Sequence, residues 1–149
     1  ETFMYCEVNE QTRAYNTNQH RHIAELSEQC SSSILFSPHV VPMNRGILTA
    51  CYIQTTGRET VDSVLSLYKE SYKECPFVRV IQQAMPSTKS VVGTNMCELS
   101  VQQVTDTHVV VFSAIDNLIK GAAGNAIHLM NIMCDFDEKL GLPQVPHRV

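Results

Sequence analysis

The chain has 149 residues, the length of one ordinary domain with enough mass for a hydrophobic core. Hydrophobic residues make up 44% of it and charged residues 17%, the balance of a folded protein rather than a disordered one. The net charge is −4, the basic residues are scattered, and no apolar run reaches the roughly 18 residues of a membrane-spanning helix, so we expect neither nucleic acid nor membrane as a partner.

Six cysteines lie along the whole chain without a CxxC pair or zinc-finger spacing. Their neighbours are apolar, for example around Cys51 and Cys134, which predicts buried thiols rather than disulfides. Thiols persist in a reducing compartment, so we expect a cytoplasmic protein, or a plastid or mitochondrial one in a eukaryote.

The first third of the chain predicts one helix between extended segments. Residues 4–6 fit a short strand, and residues 22–30 fit a helix because apolar residues recur there every three or four positions. Residues 34–42 fit a strand whose two prolines confine it to an edge or an end of a sheet.

The middle of the chain predicts several strands and one amphipathic helix. Thr56 and Glu59 have the spacing of a capping box. The helix that follows places its apolar residues on one face, namely Val61, Val64, Leu65, Tyr68 and Tyr72. The predicted strands are 46–54, 77–81, 96–104 and 108–113, the last two forming a hairpin around a Thr-Asp-Thr turn.

The last part of the chain predicts a long helix over residues 115–136 and a loose tail over residues 141–149. Gly121 and Gly124 lie inside this helix, where each glycine costs about 1 kcal/mol relative to alanine. A helix tolerates that cost where another group must approach its backbone closely. Together the elements predict one α+β domain over residues 1–149, with a mixed, largely antiparallel sheet and helices on one face.

Residues 19–25 gather more groups able to move a proton or hold an anion than any other stretch. Imidazoles exchange protons near neutral pH, so either His20 or His22 could act as a general acid or base. The His-x-His spacing also suits a metal ion, with His39 or Glu25 as a third ligand. A solvated polar turn before the helix is the third interpretation, and the residues alone leave all three open.

Two further stretches are candidates for anion binding. Arg45 beside Gly46 could bind an anion in bidentate fashion through its guanidinium, or could be an ordinary exposed turn arginine. Asp116 and Asn117 open the last helix with capping residues, and the small residues after them suit either an anion or close helix packing. The sequence has no GxGxxG, GxSxG or P-loop motif, so it carries no dinucleotide-binding fold of its own.

Six stretches of the chain resemble the N-acetyl-γ-glutamyl-phosphate reductase family, the arginine-biosynthesis member of the semialdehyde dehydrogenase group. They occur in the family's order and cover nearly the whole chain, which makes the set far more specific than any single stretch. They are residues 7–15 (EVNEQTRAY), 20–26 (HRHIAEL), 36–48 (FSPHVVPMNRGIL), 76–80 (PFVRV), 87–95 (STKSVVGTN) and 111–125 (VFSAIDNLIKGAAGN).

The resemblance implies the C-terminal catalytic and dimerisation domain of such a reductase, with a fold like the C-terminal domain of glyceraldehyde-3-phosphate dehydrogenase. The family's N-terminal half carries a Rossmann domain, which binds most of the cofactor NADP, and a nucleophilic cysteine in an Asn-Pro-Gly-Cys context. None of the six cysteines has that context, so we expect the isolated chain to be inactive. The implied partners are an acyl phosphate or semialdehyde substrate, the nucleotide-binding domain, and further copies in a dimer or tetramer.

The resemblance also implies roles for individual residues. The catalytic candidates are His20, as the principal proton-transfer residue, His22 and Glu25. The substrate-binding candidates are Arg21, Arg45 and His39. The candidates on the nicotinamide side are Asn117, Lys120, Gly121, Gly124 and Asn125, in a helix expected to pack toward the nucleotide domain. The chain departs from the family at Ala24, where proline is usual, and at His128, where an amide is usual.

Two functions of other classes remain open on the sequence. One is a non-catalytic assembly module that keeps the dimer face without the chemistry. The other is a metal hydrolase built on the His-x-His pair. Metal content separates the second from the rest, because neither a reductase of this family nor an assembly module requires stoichiometric zinc.

Overall fold

The computed structural model describes residues 4–146, and the chain falls into two compact units, Glu1–Asn44 and Arg45–Val149. The first unit contains helix α1 (Tyr5–Val8), strand β1 (Arg13–Ala14), helix α2 (His22–Gln29) and strand β2 (His39–Val40). Strands β1 and β2 pair antiparallel, with Arg13 opposite Val40. Among the described side chains of this unit, Val8 is the one that is buried.

Helix α2 begins at His22, as the sequence predicts, but two other predictions for this unit are wrong. Residues 4–6 are not a strand, because the Val8 N–H finds a local acceptor in the Met4 carbonyl and starts a helical turn. The strand over residues 34–42 shrinks to β2. The rest of that segment is irregular, although its carbonyl groups still accept bonds from Tyr15 and Asn18.

The second unit is built on a four-stranded sheet in the order β3-β6-β5-β4. Its strands are β3 (Ile47–Gln54), β4 (Val78–Val80), β5 (Cys97–Thr105) and β6 (His108–Ile115). The β3–β6 and β5–β6 pairs are antiparallel, whereas β4 and β5 are parallel. This confirms the predicted α+β fold with a mixed, largely antiparallel sheet, and it confirms the hairpin.

The helical elements of this unit are α3 (Val61–Ser71), α4 (Thr88–Val91), a π-helical turn (Ile119–Ala123) and α5 (Gly124–Met133). The capping box lies one turn later than predicted, since Thr60 and Ser63 satisfy each other's backbone N–H groups at the start of α3. Thr56 and Glu59 do bond to each other, but in the turn that precedes the helix.

Two apolar clusters hold the second unit together. In the first, Leu65 of α3 packs on one face of the sheet, against Leu99, Val101, Val109 and Val111. The predicted apolar side of α3 is therefore confirmed for Val61, Val64 and Tyr68 beside Leu65, whereas Tyr72, also predicted on this side, is exposed. The second cluster joins loops and helices at the sheet margin and consists of Phe77, Val91, Met96, Ala114 and Leu142.

The predicted helix over residues 115–136 is correct in its centre and wrong at its ends. Ile115 completes β6, and the helical part begins with the π-helical turn because the Gly121 N–H bonds to the Asp116 carbonyl five residues earlier. The loose tail is also wrong for its first residues: Leu142 is buried, and the Pro143 carbonyl accepts a bond from the Asn95 N–H. Residues 147–149 of that tail lie outside the described residues.

The cysteines form no disulfide in the described part of the chain, as expected, but the prediction that they are buried is wrong. Five are exposed and Cys97 is half-buried. Cys51 shows the reason: its apolar neighbours belong to β3, an edge strand that pairs only with β6 and exposes most of its side chains.

Candidate functional site

His20 lies in a small cluster of rings within the first unit. Its imidazole is 5.6 Å from the Tyr15 ring, 5.6 Å from the Phe36 ring and 4.6 Å from the His22 ring, measured between centroids, in edge-to-face arrangements. Backbone bonds bring these residues together, because the Tyr15 N–H donates to the Pro38 carbonyl and the Asn18 N–H to the Phe36 carbonyl. The ring of His20 is thereby half-buried at the entrance to α2.

One hydrogen bond selects the tautomer of His20. The backbone N–H of His22 donates to Nδ1 of His20 at 3.3 Å, so Nδ1 must carry a lone pair. The proton of the neutral ring then lies on Nε2. The neutral His20 ring therefore donates from Nε2 in this arrangement, and Nε2 can accept a proton only when the bond from His22 opens and the ring proton moves to Nδ1.

The other candidates of the first unit are more exposed. Arg21 is the N-cap of α2 without a side-chain cap bond, and Glu25 lies in its first turn. His39 is fixed through Nδ1, which donates to the Ser37 carbonyl at 3.0 Å. Within residues 4–146 no group of three His, Cys, Asp or Glu side chains is arranged to hold a metal ion, so the His-x-His metal interpretation gains no structural support.

In the second unit, two dipeptides face each other just beyond the end of the β3–β6 ladder, whose last pair is Ile47 with Ile115. The Arg45 Nε lies 3.4 Å from an oxygen of Asp116, and the Gly46 N–H donates to Asn117 Oδ1 at 2.7 Å. Gly46 has a φ of +118°, and a Cβ atom there would collide with Thr88 at 2.6 Å. Only glycine allows this approach.

Asp116 is fully buried and surrounded by donors. Burial raises the pKa of its carboxyl, but bonds from the N–H groups of Gly93, Leu118 and Ile119, together with the Arg45 charge, outweigh burial and bring the pKa below its ordinary value. These three bonds measure 2.8, 2.8 and 3.1 Å. Asp116 is consequently an ionised anchor for both Arg45 and the π-helical turn.

The two glycines of the π-helical region differ in their surroundings. A Cβ atom on Gly124 would overlap Asn95 Oδ1 and lie 2.5 Å from a methyl group of Ile119, so the protein itself fills that space. A Cβ atom on Gly121 would meet nothing closer than Ile115 Cδ1 at 3.5 Å, and Gly121 is exposed. Gly124 therefore serves internal packing, whereas the backbone at Gly121 is open to an outside group. Asn125 is exposed beside them.

Lys120 is half-buried on the same turn, with Nζ 5.5 Å from the centroid of the Phe77 ring. Burial lowers the pKa of its ammonium group, and the nearby Cys97 and Cys75 thiols and the Glu138 carboxyl oppose that change. Burial raises the pKa of the Cys97 thiol, against the effect of Lys120. Neither residue is thus an ordinary solvated surface group.

The structure places His20, Arg21, His22, Glu25 and His39 in the first unit, and Arg45, Asn117, Lys120, Gly121, Gly124 and Asn125 in the second. It brings His20 and His22 together, and Arg45 together with Asn117 through Gly46. Sequence reasoning missed Tyr15, Phe36, Asn95 and Asp116 as neighbours of these candidates. A carboxylate at the point where a strand turns into a helix was the one signal in the sequence that pointed to Asp116.

Comparison with known proteins supplies the family. Residues 1–117 match the family described as "Semialdehyde dehydrogenase, dimerisation domain". The chain belongs to this family. It is 45% identical over 96% of its length to an N-acetyl-gamma-glutamyl-phosphate reductase of Geobacter sp. (strain M21), and 43% identical over 96% to the protein of that name from Thermoanaerobacter sp. (strain X514).

The semialdehyde dehydrogenase fold is also found by comparison of structures. Aspartate semialdehyde dehydrogenase II from Vibrio cholerae superposes with a TM-score of 0.55 at 16% identity, over 66% of this chain and 30% of that one. The chain spans 44% of the length of the two reductases named above. In the described part of the chain no helix is both long and apolar enough to cross a bilayer.

Proposed function

We propose that this chain supplies the substrate-binding and dimerisation domain of an NADP-dependent reductase that interconverts N-acetyl-γ-glutamyl phosphate and N-acetylglutamate semialdehyde in arginine biosynthesis. One observation carries the proposal: the identity with reductases of that name extends over nearly the whole chain. In this proposal the nucleotide-binding domain and the nucleophilic cysteine come from outside the 149 residues, the isolated chain is inactive, and the protein is cytoplasmic.

His20 takes the acid/base role in this reaction. While Nδ1 accepts the His22 N–H bond, the neutral ring donates a hydrogen bond from Nε2–H to the substrate oxygen. To act as the base, the ring releases that bond and carries its proton on Nδ1, so that Nε2 accepts the proton of the substrate hydroxyl as the bond to the cysteine sulfur breaks and returns it in the reverse direction. His22 and Glu25 lie on the following helical turn and support this exchange. Arg45, with Arg21 and His39 as further candidates, binds the phosphate or carboxylate of the substrate.

The residues around the π-helical turn fit the nicotinamide side of NADP, which supplies or accepts the hydride when bound. The observation behind this fit is the exposed Gly121 backbone, where a side chain would meet no protein atom within 3.4 Å. Asn117, Lys120, Gly124 and Asn125 flank it. Several apolar side chains of α5 are exposed, including Leu129, Ile132 and Met133, and would face the nucleotide-binding domain.

Self-association is part of the same proposal. Strand β3 is a sheet edge with exposed Ile47, Leu48, Tyr52 and Ile53, an apolar surface of the kind that mediates contacts between copies. Strands β4 and β6 are weaker candidates for this contact, because Phe77 beside β4 and residues 109–111 of β6 are buried within the unit. The contact between copies is therefore assigned to β3, and it would serve equally in a non-catalytic assembly module.

The decisive experiment is a His20→Asn substitution in the complete reductase that contains this chain. Because general acid/base catalysis contributes about 10²–10⁴ in rate, we expect kcat to fall at least about a hundredfold while NADP affinity is unchanged. His22→Asn should have a smaller effect. Steady-state kinetics and cofactor titration give both quantities.

His108→Asn is the matched control, since that ring is also held by hydrogen bonds, to the Thr105 and Thr107 hydroxyls, but lies at the far end of the hairpin. It should leave kcat unchanged. A His20→Asn enzyme with near wild-type kcat beside an inactive His22→Asn enzyme would mean that the two roles are swapped, and near wild-type kcat in both would show that residues 19–25 are only a polar turn.

A further inference from the structure

We propose that Asp116 is a positioning residue that aims the Arg45 guanidinium at the anionic group of the substrate. This inference deepens the proposed function and rests on it. Asp116 was not among the site residues that the sequence or the resemblance indicated, and it touches neither substrate nor cofactor in this proposal.

The first step is the geometry of the pair. Asp116 approaches Arg45 at Nε, the inner nitrogen of the guanidinium, and the arginine side chain remains 38% exposed while the carboxylate is fully buried. Arg45 Nε is buried without a hydrogen-bond partner among the described residues, so the ion pair alone holds it, and the exposed fraction lies on the other side-chain atoms, among them the two terminal nitrogens. Those nitrogens form the fork that binds a phosphate or carboxylate through two parallel hydrogen bonds.

The second step is the rigidity of the anchor. Three backbone N–H groups from two separate segments, at Gly93 and at Leu118 and Ile119, fix both oxygens of Asp116. The backbone of the arginine is fixed as well, since Asn117 holds the Gly46 N–H and Thr88 packs directly on Gly46. Arg45 is thus held at both ends, which reduces the rotamer entropy it loses when an anion binds.

The alternative is that Asp116 only caps the helical turn and that Arg45 is a bystander. A cap accounts for the bonds to Leu118 and Ile119 but not for the bond to Gly93 or the contact with Arg45. The two interpretations differ in anion selectivity. An oriented fork prefers a tetrahedral oxyanion to a spherical ion, whereas an unoriented positive charge attracts both according to charge alone.

The test uses the 149-residue chain, with inorganic phosphate and chloride as probes and the Arg45 Nε–Hε resonance as the NMR readout. In Asp116→Asn we expect the ratio of phosphate to chloride affinity to fall by about tenfold, because the charge-assisted pair that orients the fork is lost. Asp137→Asn is the matched control: Asp137 also caps a turn, through the Lys139 N–H, but is exposed. Its ratio should be that of the wild type.

A second measurement needs no variant. The order parameter of the Arg45 Nε–Hε bond in the wild-type chain should approach the value of about 0.85 typical of rigid backbone, whereas that of the exposed Arg58 should lie below about 0.6. Equal order parameters, or an unchanged selectivity ratio in a folded Asp116→Asn chain, would overturn the inference. Both readouts are independent of reductase activity, so failure of the His20 experiment and failure of this inference are distinguishable.

Discussion

The two units of the chain are held together by different kinds of contact. The second unit buries two apolar clusters and the carboxylate of Asp116, and its central strands β5 and β6 form eight residue pairs with one irregularity between Gln103 and Thr105. The first unit, over its described residues, has two-residue strands and a helix without a buried side chain, and it holds His20 with ring edges and backbone hydrogen bonds. One unit is organised by a core, the other by local contacts.

In the proposed function, the two units have different tasks: the second unit positions Arg45, and the first unit carries the residue that exchanges a proton. A buried, ionised Asp116 needs a rigid and fully satisfied environment, which only a packed unit provides. In the proposed function, a proton-transferring histidine needs contact with solvent or substrate, and His20 lies half-buried in the sparse first unit. Substitutions that compare equivalent residue types in the two units test this division.

The largest effect on the free energy of unfolding is expected when one phenylalanine in each unit is replaced by alanine. Phe77→Ala removes a side chain that is 1% exposed and should lower the free energy of unfolding by about 3–5 kcal/mol, because a cavity remains in the second cluster. Phe36→Ala removes a half-buried ring of the first unit and should cost about 1 kcal/mol or less. Chemical denaturation measures both, and similar losses for the two would abolish the distinction between the units.

A smaller effect is expected within the second unit, at its glycines. Gly124→Ala should destabilise the chain by about 1–3 kcal/mol, since the new methyl group overlaps Asn95 and Ile119. Gly121→Ala is the matched control and should be neutral or stabilising by up to about 1 kcal/mol, because that position is open and helical. The melting temperature should fall for Gly124→Ala and should rise or stay unchanged for Gly121→Ala.

The smallest expected effect is the loss of the stability contribution of Asp116 at acidic pH. Because the pKa of folded Asp116 lies below its ordinary value, its contribution to stability is complete above pH about 4 and is lost as the pH falls through the lower, folded value. The difference in melting temperature between the wild type and Asp116→Asn should therefore be constant down to about pH 5 and shrink as the pH falls below about pH 4. A constant difference would mean that Asp116 does not stabilise the fold through its charge.

The sequence by itself determined the elements whose signals are local. The apolar side of α3, the hairpin of β5 and β6 and the start of α2 at His22 all follow from periodicity or turn residues within a few positions. The family follows from the order of short motifs along the chain. Such features need no knowledge of what lies opposite in space.

Only the tertiary structure decided which residues meet. Cys51 is exposed because β3 is an edge strand, and Leu142 is buried because it packs in the second apolar cluster. The residues next to each of them in the sequence do not indicate either outcome. Likewise, Asp116 and Arg45 are 71 positions apart, and they meet because they lie one and two residues beyond the Ile47–Ile115 end of the β3–β6 ladder. Burial and ion pairing depend on these long-range contacts, which is why the sequence named Arg45 as a clamp but not the carboxylate that holds it.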